Sequence, residues 1–237
     1  MTEDLYQKVI LIIFSTSLGW LIAQLTNILK VSNERKKIIK LLNEELSDIK
    51  KEVERILSYY ARNLQLYGGN KIGQYTMTGI SNPIYTNYYK DALLKLNQNQ
   101  RISFQMIHNL VHAQNENLKK LTIELEVAQD IYKTSGANKA IKVKGKTIGE
   151  LSKSGYFNCL VLNWHLEFHL KNQEKPDLSL YSEAHKEHLK FLDTISEKIE
   201  KLVESGKNIK AEEFEKNYYC SSGYISIDGM WKQCKNK

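Results

Sequence analysis

The six histidines of the chain fall into three close pairs: His108 and His112, His165 and His169, His185 and His188. A step of three or four residues puts both imidazoles of a pair on one helical face, which is how helices present metal ligands. Glu116 extends the first of these faces by a further turn. The Glu-x-x-His units of di-iron bundles and the His-Glu-x-x-His of zinc proteases are both missing. No metal is therefore assigned, and the six rings stand as candidate ligands beside the alternative of hydrogen-bonded histidines in a helix seam. A second pairing lies in RISFQMIH, where Arg101 and His108 sit two helical turns apart on nearly one face. No Ser-His-Asp order, cysteine metal cluster or phosphate-cradling glycine loop competes with it, and no cofactor is expected.

Holding such pairs in register requires long helices, and the composition favours them. Hydrophobic residues make up 42% and charged residues 26% of the 237, which excludes extensive disorder. Two prolines and 12 glycines give too few turn signals for an all-β sandwich. The expected fold class is all-α. Among 34 basic residues, only Arg35, Arg55, Arg62 and Arg101 are arginine. A net charge of +7 carried mainly by lysine suits an anionic bilayer or non-specific polyanion contact better than base readout.

From Val9 to Leu29 no residue is charged. At about 1.5 Å per residue that stretch spans roughly 30 Å, the hydrocarbon thickness of a bilayer. Residues 1–8 form a flank, 9–29 a transmembrane helix. Glu3 and Asp4 in the leader, and the lack of a small-x-small cleavage pattern, argue against a signal peptide. Lys30, Arg35, Lys36, Lys37 and Lys40 crowd the carboxy-terminal side, whereas Lys8 stands alone on the other. The positive-inside rule then predicts a cytoplasmic domain beyond residue 30. Cys220 and Cys234, with Cys159 left over, fit either a disulfide in an exported tail or three reduced thiols, and the charge flank favours the latter. Ser15, Gly19, Ala23 and Asn27 recur every four residues, a face on which two such helices can approach closely, so a homo-oligomer in the lipid is expected. The polar members Ser15, Thr16, Gln24, Thr26 and Asn27 also offer the lining of a leak pathway.

Beyond the span, Ile39, Leu42, Leu46, Ile49, Val53, Ile56 and Tyr60 step by threes and fours. This predicts an exit helix over 30–66, coiled-coil-like or folded back into a bundle. The glycines between 67 and 83 predict a loop, a short helix is expected near 84–96, and the seam from Phe104 to Ala128 predicts a long helix over 101–132. In residues 133–147, Lys139, Lys142, Lys144 and Lys146 alternate with Ile141 and Val143 around Gly145. That alternation reads as a hairpin with a basic tip facing phosphates or acidic lipid. Helices over 148–171 and 178–204 complete a bundle spanning 67–206, with Gly206 as a stop and 207–237 as a tail. In that tail Tyr218, Tyr219, Tyr224 and Trp231 fit either a small hairpin or a docking element.

Two resemblances bear on function. Arg101 and His108 resemble the R-x4-6-H motif of the HEPN family of helical, metal-independent ribonucleases, although Ile102 replaces the polar residue that usually follows the arginine. The resemblance implies a membrane-tethered ribonuclease in which Arg101 steadies phosphate, His108 transfers the proton, and RNA is the partner. More broadly, one amino-terminal span, a lysine-rich exit helix and a small helical domain look like bacterial inner-membrane proteins of unassigned function, some of them in phage-defence systems. That layout implies a self-associating, non-enzymatic effector that meets lipid and an unidentified protein partner or signal. It is the preferred expectation, with the ribonuclease as the alternative.

Overall fold

The computed structural model describes residues 2–73, 76–136, 138–209, 224–226 and 231–232. Among them are five helices: α1 (Thr2–Gly68), α2 (Pro83–Ala92), α3 (Gln98–Ser135), α4 (Lys139–Lys171) and α5 (Glu183–Asn208). Three short strands, β1 (Lys71–Gly73), β2 (Tyr224–Ser226) and β3 (Trp231–Lys232), form an antiparallel sheet in the order β1-β2-β3. Ile72 pairs with Ile225, and Ile225 with Trp231. The tail thus contributes two antiparallel strands that carry Tyr224 and Trp231, whereas Tyr218, Tyr219, Cys220 and Cys234 lie outside the described residues.

The chain divides into two compact units: residues 1–44 with 83–96, and residues 45–82 with 97–237. In the first, every residue from 11 to 30 is exposed, and the helix is long and apolar enough to cross a membrane. Its threonine hydroxyls are satisfied locally. Thr16 Oγ1 donates to the Ile12 carbonyl at 2.7 Å, and Thr26 Oγ1 to that of Ile22 at 2.8 Å, so neither hydroxyl needs water within the span. Ser15, Gly19, Ala23 and Asn27 are all exposed, and a Cβ on Gly19 would meet nothing within 4 Å. Among the described residues of this unit, Leu42, Tyr89, Ala92 and Leu96 are the buried apolar side chains.

The second unit holds the bundle. Leu46, Ile49, Val53, Ile56 and Tyr60 of α1 are buried, so the heptad seam is consumed inside one chain and needs no second copy. The α3 seam from Phe104 to Ala128 is buried at every expected position. Here helical spacing alone was sufficient, because a stripe at steps of three and four has only one way to leave water. Asn97 closes the start of α3 with a capping box, its side chain accepting from Gln100 N.

The expected hairpin over 133–147 is absent. Lys139–Lys146 form the first two turns of α4, which begins after the N-cap Asn138, so α4 starts nine residues earlier than Ile148. The lysine alternation imitated a strand, but the buried set Ile141, Gly145, Ile148, Ser152 keeps the helical period. Gly145 is part of this buried face rather than a turn. Lys139, Lys142 and Lys146 are exposed, while Lys144 reaches across to Glu124 of α3 at 2.7 Å; the four do not form one tip.

α5 also departs from expectation. It opens at Glu183 behind the N-cap Ser182, not at Leu178, and it runs past Gly206. That glycine permits close approach instead of ending the helix: a Cβ there would overlap the Gln65 carbonyl, as one on Gly68 would overlap that of Val203. Of the apolar side chains along α5, only Ile195 is fully buried, and Tyr181, just before the helix, is exposed.

Candidate functional site: a buried histidine row

Four of the six histidines converge within the second unit, along a line from α3 through α4 to α5. The seam of α3 turns Ser103, Phe104 and His108 inward. Facing them on α4, His165 and His169 sit one turn apart and are 4% and 0% exposed; His108 is 5% exposed. His169 Nδ1 and Ser103 Oγ share a hydrogen bond of 2.8 Å, and Phe104 lies 4.5 Å from the His169 ring. Asn82 Nδ2 donates to His108 Nδ1 at 3.0 Å. An amide nitrogen only donates, so His108 is held neutral with its proton on Nε2.

The other end of the row belongs to α4 and α5. The His165 and His188 rings meet edge-on with centroids 4.7 Å apart. Trp164 covers both, at 5.1 Å from His165 and 4.4 Å from His188, and stacks on Phe168 at 5.3 Å. His165 Nδ1, His169 Nε2 and His188 Nε2 are buried with no hydrogen-bond partner among the described residues.

Burial dictates the electrostatics, because removing water disfavours the charged imidazolium. It pushes His108 down to about 3, helped by the neighbouring charge of His169. Burial likewise lowers His165 to about 4, with His188 adding to it, and His169 to about 4. His188 is lowered by burial and by His185. At neutral pH the row is uncharged.

Of the remaining residues singled out by spacing, His112 and Glu116 are exposed on another face of α3, and His185 Nδ1 accepts from the Tyr181 amide at 3.3 Å. Among the described residues no three of His, Cys, Asp or Glu converge as a metal centre requires. Arg101 is half-buried at the start of α3. A general base for a ribose hydroxyl must touch its substrate and change protonation near neutral pH. His108 is enclosed under Asn82, and burial holds its imidazole well below the neutral range.

A second polar network was not legible in the sequence. Tyr60 of α1 donates to Asn117 Oδ1 at 2.7 Å and accepts from Gln114 Nε2 at 2.9 Å, all three buried. Gln114 occupies an apolar seam position of α3, which is the one signal that a buried partner exists. Asn115 likewise clamps the backbone of Ile80, accepting from its N–H at 2.7 Å and donating to its carbonyl at 2.9 Å.

No family model, curated protein or solved structure matches the chain.

Proposed function

We propose that the chain is a single-pass inner-membrane protein that self-associates through residues 9–29 and carries a cytoplasmic helical domain for a protein partner or signal. One observation carries the reading: Leu11, Ile12, Ile13, Phe14, Leu18, Trp20, Leu21, Ile22, Leu25, Ile28 and Leu29 are all exposed on one helix. An apolar surface continuous around a helix is stable only when lipid or another apolar surface covers it. The lysine and arginine cluster from Lys30 to Lys40 supports the cytoplasmic orientation. Support for self-association comes from the open face of Ser15, Gly19, Ala23 and Asn27.

The test is extraction of the full chain from bacterial membranes. The protein is expected to stay in the pellet through alkaline carbonate, and external protease is expected to spare residues 30–237 in intact spheroplasts. Release by carbonate would overturn the membrane reading. In detergent, Gly19→Leu with Ala23→Leu is expected to lower the oligomer mass seen by light scattering; an unchanged mass would remove self-association while leaving the anchor standing.

A further inference from the structure

The two ends of α5 are held in unlike ways. Its carboxy-terminal half is pinned by backbone contact: Gly206 lies against Gln65, and Val203 against Gly68. Neither approach tolerates a Cβ, so that end is fixed by shape. Its amino-terminal half contributes no fully buried apolar side chain before Ile195, and Leu189 is half exposed. Ala184, His185, Phe191 and Leu192 are half-buried there, and His188 adds an aromatic contact with His165 and Trp164. Immediately before it, Tyr181 has φ +68°, a left-handed conformation that costs a bulky residue about 1–2 kcal/mol.

We propose that α5 is a flap, hinged at the Gly68/Gly206 contact and latched at its amino-terminal half by the His165–His188 pair, and that acid opens the latch. Opening exposes Trp164 and His165 on α4 together with the inner face of α5. Protonating His165 places an imidazolium in a buried contact, and protonating both rings sets like charges edge to edge. The charges acting on the pair are their own and that of His185. From α4, Trp164 and Phe168 face it without charge. Glu167, the carboxylate nearest His165 in sequence, is engaged by Lys50 of α1 at 3.4 Å and by Asn163 at 3.1 Å, and Glu187, next to His188 on α5, is exposed to solvent.

The sign follows from linkage. A histidine lowered in place binds its proton more readily once released, so the latch is closed above about pH 6.5 and weakens as pH falls toward 4. His165 alone, moving from about 4 in place to the ordinary 6.5 on release, favours the open form about eightfold at pH 5.5 and about twentyfold at pH 5, relative to pH 7.

Hydrogen exchange on the full chain in detergent micelles, expressed as protection at pH 7, 5.5 and 5, reads this directly. Amides of residues 186–192 are expected to be less protected than those around Leu121 and Leu125 of α3 at each pH, and to lose protection by at least those factors. In the His165→Phe/His188→Phe variant, which keeps two rings and removes their charge, the pH-dependent loss in α5 is expected to vanish. Equal protection of α5 and α3 at every pH, or an undiminished acid loss in the variant, would overturn the flap. Should the double variant fail to fold, His188→Gln is read in the same way: an acid loss in α5 as large as the intact chain's overturns the latch.

Discussion

Lowering the pH from 7 to 5.5 should remove about 4 kcal/mol of stability from the helical bundle, and the figure can be built ring by ring. His108, His165 and His169 are each at most 5% exposed, and burial holds them at about 3, 4 and 4. In the unfolded chain each returns to about 6.5. A group whose folded value is lowered leaves stability intact above its unfolded value and forfeits it as pH falls toward the folded one. At pH 5.5 the unfolded chain holds about 0.9 proton on each ring and the folded chain almost none, so unfolding takes up roughly 2.6 protons. Integrated from pH 7, each ring contributes about 1.2 kcal/mol, and the sum is close to the lower end of what a domain of this size possesses. His108 and His169 also act on each other, which makes the sum an upper figure. Urea unfolding of the protein in micelles, followed by far-UV circular dichroism, should show its midpoint falling by about 2 M between pH 7 and pH 5.5, taking a slope of roughly 2 kcal/mol per molar. A midpoint that moves by less than about 0.5 M would refute the claim that these rings are buried and neutral.

Gly206→Ala drives a methyl group into the Gln65 carbonyl; it should cost about 1–3 kcal/mol and lower the thermal midpoint by several degrees in calorimetry. Tyr60→Phe removes the hydroxyl shared by Asn117 and Gln114. Leaving two buried amides short of a partner should cost about 1–3 kcal/mol in urea unfolding, and a loss under 0.5 kcal/mol would mean water takes the hydroxyl's place.

How far the sequence could be read depended on what kind of information each feature needed. The α3 seam was legible because helical period and burial coincide at every position from Phe104 to Ala128. The start of α4 was misread because lysines on a helix surface are free to fall at any spacing, and here they fell on alternate residues beside Ile141 and Val143. The apolar period that continued through Gly145 carried the real signal, and a glycine conceals such a signal by having no side chain to count. The histidine row was half legible. Pair spacing indicated that two rings share a face, but not that the face is buried. It also gave no sign that His165 would meet His188 and leave His112 and His185 outside, since that depends on which faces of three helices turn toward one another. The Gly68/Gly206 approach has no sequence signature, because its two partners are well over a hundred residues apart.

The single helix α1 makes the distinction sharpest. From Leu11 to Leu29 apolar side chains point in every direction and all are exposed. From Leu46 to Tyr60 they occupy one stripe and are buried. The backbone is the same α-helix throughout, so conformation cannot separate the two stretches; the angular distribution of apolar residues does. A stripe is matched by the inner face of a bundle, and the chain itself supplies one. A cylinder with apolar residues on every side demands an apolar surround on all sides, which the inner face of a helical bundle does not provide. The change from cylinder to stripe falls within the lysine-rich stretch from Lys30 to Lys40, where a helix leaving a bilayer would meet the anionic lipid surface.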